Sequence, residues 1–147
     1  MKLYLDNCSY NRPFDDQRAI KIKIETEAKL FIQERVKAGE HKIVWSYILD
    51  FENSANPFEI RREAISLWKD IAEVYVYENA EILTFAKDIA RLTIKSKDAL
   101  HIACAIYAKC DYFITTDDLV IKKMTNNDTI KVVNPFDFIK REVRDGN

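Results

Sequence analysis

Short apolar runs alternate with longer stretches of helical period along this chain. Leu3-Tyr4-Leu5, Lys42-Ile43-Val44-Trp45, Glu73-Val74-Tyr75-Val76-Tyr77, Tyr112-Phe113-Ile114-Thr115 and Ile130-Lys131-Val132-Val133 are each too short for a helix and rich in β-branched or aromatic residues, so they predict five strands. Between them lie amphipathic segments. Arg18 to Ala38 places Ile20, Ile24, Ala28, Phe31, Ile32 and Val36 on one predicted stripe and stops at Gly39. Ser46 is placed to cap a helix over Tyr47 to Ser54. Asn56-Pro57 starts another, with Pro at its first position and Ile60, Ala64, Leu67, Trp68 and Ile71 as its stripe. Asn79 caps a segment from Ala80 to about Leu92. Ala99 to Lys109, opened by Ser96 or Asp98, is apolar nearly all round and is expected to be central. Shorter helices are predicted over Leu119 to Met124 and Phe136 to Arg141. The segment Asn11 to Asp16 reads as loop, with Asp16 a candidate cap for the helix that follows.

Strands separated by helices predict an α/β fold, three-layer α/β/α, with a central, mostly parallel sheet of about five strands. No linker, repeat or low-complexity tract interrupts the pattern, so residues 1–147 are expected to form a single domain. In such sheets ligands bind beyond the carboxyl ends of the strands, where strand order reverses. Acids stand at two of those ends, Asp6 and Asp117.

Composition then excludes several chemistries. With two Gly there is no GxGxxG and no GxxxxGK[ST], so neither a dinucleotide cradle nor a P-loop can be built. Lys and Arg total 23 against 24 Asp and Glu, and no global positive field draws the chain to nucleic acid. Any such contact must use local patches: Lys21, Lys23 and Lys29; Arg91, Lys95 and Lys97; or Lys122 and Lys123. Cys8, Cys104 and Cys110 lack zinc spacing and suit reduced thiols, with Cys104 in the core. Neither a signal-like opening nor an 18-residue apolar run is present, and the expected location is the cytoplasm, with no membrane contact.

Each acid alone has an ordinary role, as a helix cap or as surface charge. Together they read differently. Asp6 and Asp117 at strand ends, Asp98 at a helix start and Glu52 on the helix after the second strand would surround one crevice. Asp50 competes with Glu52 for that place, because residues two apart on a helix cannot share a face. Carboxylates packed so closely repel and raise each other's pKa, and a cation that neutralises them lets them persist together. Oxygen ligands without a His or Cys cluster select Mg²⁺ or Mn²⁺. His101, three residues after Asp98 on an apolar helix, is expected to be a satisfied core residue and His41 to face solvent. Asp118 is left as the cap of its helix.

These residues resemble a PIN domain, the metal-dependent nuclease fold of VapC-type toxins, over essentially the whole chain. Leu3-Tyr4-Leu5-Asp6 resembles the family's opening strand and first acid, and Ser46-Tyr47-Ile48-Leu49-Asp50-Phe51-Glu52 the segment that ends in the second. Asp98-Ala99-Leu100-His101-Ile102-Ala103 resembles its most recognisable string, and Thr115-Thr116-Asp117 its Thr-x-Asp ending. The resemblance implies a Mg²⁺ or Mn²⁺ site on Asp6, Glu52, Asp98 and Asp117, with Asn7, Thr115 and Asp118 around it. It further implies cleavage of single-stranded RNA, homodimers and, for toxin members, an antitoxin protein. After Asp6 this chain departs from the family, running through Asn7 to Asp16 into a long helix. The alternative reading is a non-catalytic module of the same fold that binds nucleic acid or protein.

Overall fold

The computed structural model describes residues 1–145. Five strands, β1 (Lys2–Leu5), β2 (Lys42–Ser46), β3 (Val74–Val76), β4 (Tyr112–Ile114) and β5 (Lys131–Val133), form one parallel sheet in the order β3-β2-β1-β4-β5. The chain works outward from β1 to β3, then crosses back to lay β4 on the other side of β1. Strand order therefore reverses between β1 and β4, where Leu3, Tyr4 and Leu5 pair with Tyr112, Phe113 and Ile114.

Eight helices cover the sheet: α1 (Asn7–Asn11), α2 (Ile20–Lys37), α3 (Tyr47–Ser54), α4 (Glu59–Ile71), α5 (Ala80–Ala90), α6 (Ser96–Tyr107), α7 (Asp118–Met124) and α8 (Pro135–Asp145). Alternation along the strands assigns the layers. Tyr4 and Phe113 stack on one face, where Tyr4 meets His101 of α6. Trp45 and Tyr112 point the other way, against Tyr10 of α1 and Phe138 of α8. The result is the three-layer α/β/α architecture that the pattern predicts, with one continuous core. Gly39 ends α2 at φ +81°, and the amides of Gly39 and Glu40 bond back to Val36 and Arg35 as in a Schellman cap.

Several local expectations fail for identifiable reasons. Of the segment Asn11 to Asp16 read as loop, Asn11 ends helix α1 and Arg12–Phe14 form a 3-10 turn; α1 itself forms because Asp6 caps it and Tyr10 is fully buried against Trp45. Asp16 does not cap α2; its carboxylate accepts from the Arg18 amide two residues on, and Ala19 precedes the helix without a side-chain cap. Helix α4 opens at Glu59, two residues beyond Pro57. His41 is buried rather than solvent-facing, held by Glu142 at 3.0 Å and by the N-terminal amine at 3.2 Å beneath α8.

The largest departure is on α2. Ala28, Ile32 and Val36 are buried as expected, but Ile20 (77% exposed), Ile24 and Phe31 are not, and Glu25, Thr26, Lys29 and Gln33 lie inside instead. Glu25 is buried because Arg12 reaches it at 3.1 Å and Lys21 at 3.4 Å. Lys29 lies over the rings of Tyr10 and Trp68. The helix is rolled toward the layer built from α1 and α4. On α4 likewise, Ile65 and Trp68 are buried while Ile60, Leu67 and Ile71 form an exposed apolar stripe.

Burial, and secondarily the charge of Lys37, pull the Lys29 ammonium down to about 7. A lysine lowered on folding is held protonated by the unfolded chain over a pH range where the folded chain has released its proton. Stability is therefore expected to rise with pH from about 7 toward the ordinary lysine value of 10.5. Lys29→Met is expected to remove that slope and to raise stability at pH 7 by about 1 to 3 kcal/mol, as read by urea unfolding across this range.

Candidate metal centre

Asp6 follows directly on β1, and its amide continues the ladder to the Ile114 carbonyl at 3.1 Å. One carboxylate oxygen accepts from the Ser9 amide (3.0 Å) and the other from the Thr115 hydroxyl. Thr115 stands just beyond β4, and its oxygen also accepts from the Asp117 amide at 3.1 Å. A single hydroxyl thus ties the first acid to the loop that carries the last. Asp117 caps α7, Oδ1 accepting from Leu119 and Val120 at 3.0 and 3.3 Å. Asp118, expected to be the cap, pairs instead with Lys21 at 3.2 Å in the first turn of α7.

Asp50 and Glu52, the two candidates for the second acid, have different partners. Asp50 turns away into its own ring of donors, Trp45 Nε1 (2.8 Å), Lys69 Nζ (3.1 Å) and the Tyr75 hydroxyl. These bonds hold its carboxyl below the usual range even though burial opposes them. Glu52 points to α6, where its Oε1 pairs with His101 Nε2. His101 is 2% exposed, and its Nδ1 meets the Tyr4 hydroxyl at 2.6 Å, which meets Ser46 Oγ at 2.6 Å. Ser46 in turn caps α3, the helix that carries Glu52.

One proton assignment satisfies this chain throughout: Ser46 donates to Tyr4, Tyr4 to Nδ1, and Nε2–H to Glu52. Burial raises the Tyr4 pKa well above that of an ordinary phenol, so the hydroxyl stays a neutral donor. The Tyr4 side chain reaches from β1 to His101 of α6 and to Ser46 at the end of β2.

Asp98 sits half-buried in the first turn of α6. Burial raises its pKa, the charge of Asp117 raises it further, and Glu52 adds to this while His101 and Lys95 oppose. Burial likewise raises Asp6, against the bonds from Thr115 and Ser9. The exposed thiol of Cys8 registers all four carboxylates at once. Its pKa is pushed up to about 12, first by its protein surroundings and then by Asp6, Asp98, Asp117 and Glu52 in that order. Asp6, Glu52, Asp98 and Asp117, carried by four separate elements, therefore lie near enough to act on one thiol. Asn7 lies beside it, its carbonyl and side-chain oxygen both accepting from Asn11 at 2.9 and 3.1 Å. Asn7, Cys8, Asn11, Arg12 and Asp117 line an open groove.

The donor chemistry fits a hard divalent cation, since the set is all carboxylate and no cationic group is bonded to Asp6, Asp98 or Asp117 among the described residues. The acids do not close to coordination distance. Among those residues no three His, Cys, Asp or Glu groups are placed to hold a metal ion. Glu52 is drawn to His101, Asp6 to Thr115, and Asp117 to the amides of α7.

No protein-family model matches the chain, and no curated protein is significantly similar to it. Solved structures are similar. A chain of VapBC2 from Rickettsia felis, crystallised with a DNA fragment from its promoter, matches with a TM-score of 0.57 at 14% identity, covering 91% of this chain and 98% of that one. A chain of VapBC-1 from nontypeable Haemophilus influenzae matches with a TM-score of 0.59 at 17% identity, covering 92% and 98%. The fold is PIN-like.

Within this PIN-like fold the residues least visible in the sequence are Tyr4, Ser46 and His101. The available signal was the spacing of His101, three residues after Asp98 and so one turn along the same helix. What it lacked was a partner, because Tyr4 and Glu52 are 97 and 49 residues away.

Two stability measurements test this geometry. Tyr4→Phe leaves His101 Nδ1 buried without its donor and is expected to cost about 1 to 3 kcal/mol in urea unfolding. Asp98→Asn is expected to raise Tm at neutral pH by about 2 to 4 °C, the shift that about 1 kcal/mol gives in a chain of this size. A carboxyl raised on folding is penalised once both states have lost the proton. The wild type therefore loses stability as pH rises from the ordinary Asp value through the raised one, and the advantage of the variant should vanish in acid.

Proposed function

We propose that the chain is a Mg²⁺- or Mn²⁺-dependent nuclease, formed as one PIN-like domain, that cleaves single-stranded RNA. One observation supports the reading: the pairing of β1 with β4 ties Asp6 through the Thr115 hydroxyl to the loop of Asp117, and Glu52 of α3 pairs with His101, one helical turn along α6 from Asp98. Asp6, Glu52, Asp98 and Asp117 would hold the cation. Bound there, a divalent ion lowers the pKa of water for attack on a phosphodiester and offsets charge on the phosphoryl group.

The other residues set up that site. Thr115 fixes the rotamer of Asp6 and the entry of the Asp117 loop, while the Ser46–Tyr4–His101 chain sets the orientation of Glu52. Asp98, without a hydrogen-bond donor of its own among the described residues and half-exposed, is the carboxylate most available to a ligand. His101 is a positioning residue, since it acts through Glu52.

A partner of the antitoxin type belongs to the same proposal. Its support is twofold: both structural relatives are VapBC assemblies, and α4 presents Ile60, Leu67 and Ile71 to solvent at 82%, 63% and 42% exposure along one helical stripe. No helix among the described residues is long and apolar enough to cross a membrane.

Purified protein with Mn²⁺ is expected to cut single-stranded RNA, and Asp98→Asn to slow it by about 100-fold or more, beyond the usual effect of losing an outer-shell partner. Mn²⁺ at millimolar concentration is expected to raise the Tm of the wild type and not of Asp98→Asn. Unchanged cleavage by the variant would assign the activity to a contaminant. Calorimetry without metal binding would favour a non-catalytic module of the same fold.

A further inference from the structure

The seam between α3 and α6 carries a second pair of side chains outside the acids. Phe51 immediately precedes Glu52 on α3, and Lys97 immediately precedes Asp98 on α6. Lys97 is also one helical turn before His101, so both project from the side of α6 that meets α3. At the inner level of the seam His101 grips Glu52; at the outer level the Lys97 ammonium lies 5.6 Å from the centroid of the Phe51 ring. Phe51 is 58% exposed, so solvent reaches its side chain. Lys95 stands on the same approach, close enough to act on the charge of Asp98.

We propose that Phe51 and Lys97 form a seat for one nucleotide of a single-stranded RNA at the rim of the acid mouth, the base stacked on the ring and its phosphate drawn by the ammonium. The proposal rests on the nuclease reading above and names how that site takes its substrate. Three observations favour this occupant. An exposed aromatic face with a cation beside it is what single-stranded nucleic acid uses, because every base offers a π surface and every linkage a negative charge. The charge is local, as it must be in a chain of net charge -1, and it adjoins four carboxylates that would repel a polyanion without it. The seat also adjoins the proposed metal site directly, Phe51 and Lys97 each standing one residue before one of its acids, Glu52 and Asp98.

The seat makes Phe51 a binding residue with no part in bond breaking. Its contribution should therefore appear in affinity and in KM, with kcat little changed. Exposure of the ring also means that its removal leaves the core intact, unlike changes at Glu52 or His101.

The test measures anisotropy of a labelled single-stranded oligoribonucleotide with the full chain in chelator, beside cleavage of the same RNA in Mn²⁺. Phe51→Ala is expected to weaken binding about tenfold or more and to raise KM to match. Phe51→Tyr should retain binding, and Phe51→Leu, which keeps bulk without a π face, should not. Lys97→Ala is expected to lower the slope of log affinity against log salt by about 0.7, one phosphate contact on a single strand. Wild-type cleavage with Phe51→Ala binding as tightly overturns the seat and leaves the nuclease reading intact. Binding that depends on Phe51 without cleavage in any metal overturns the nuclease reading and supports the seat. Tighter, Phe51-dependent binding of single-stranded DNA than of RNA overturns RNA as the occupant.

Discussion

The pairing of β1 with β4 is the constraint on which the rest of this structure depends. It joins residues about 110 positions apart and sets the reversal of strand order between two neighbouring strands. Because Leu5 pairs with Ile114, Asp6 and Thr115 leave the sheet side by side, and the Thr115 hydroxyl binds one acid while orienting the loop of the other. A slip of one residue in that register would turn Tyr4 away from His101 and Asp6 away from Thr115 together. Both the acid mouth and the chain that steadies Glu52 would go with it.

Gathering carboxylates near one another works against folding. Asp6 and Asp98 are pushed toward the neutral form by burial, and Asp98 also by its acidic neighbours. The fold sustains this by giving Asp6, Glu52 and Asp117 separate protein donors and by backing the site with an apolar sheet and the near-continuous core of α6. The uneven sharing of donors also distinguishes the acids. Asp50 has three donors, one of them Lys69, whereas Asp98 has none among the described residues.

Much of the framework was legible along the chain. The five strands, the Ser46, Asn79 and Gly39 boundaries and the parallel three-layer arrangement follow from hydrophobic period and capping chemistry, which are local. The misreadings share a cause. On α2 the periodic apolar stripe promised burial of Ile20, Ile24 and Phe31, yet the pairing of Glu25 with Arg12 and the packing of Lys29 on Tyr10 and Trp68 rolled the helix the other way. Periodicity reports that a helix has an apolar side and leaves open which surface it meets. His41 erred in the same way, for its burial comes from Glu142 and the C-terminal helix.

For the site itself the sequence determined the inventory: acids at the ends of two strands and the start of one helix, and a second-strand helix offering either Asp50 or Glu52. Only the tertiary structure turned Asp50 toward Trp45, Lys69 and Tyr75 and Glu52 toward His101, and moved the capping role from Asp118 to Asp117. The physical reason is distance along the chain. Caps and helical faces are set by neighbours within four residues, whereas the partner of a buried carboxylate or imidazole is supplied by a strand or helix tens of residues away, and only the packed sheet brings the two together.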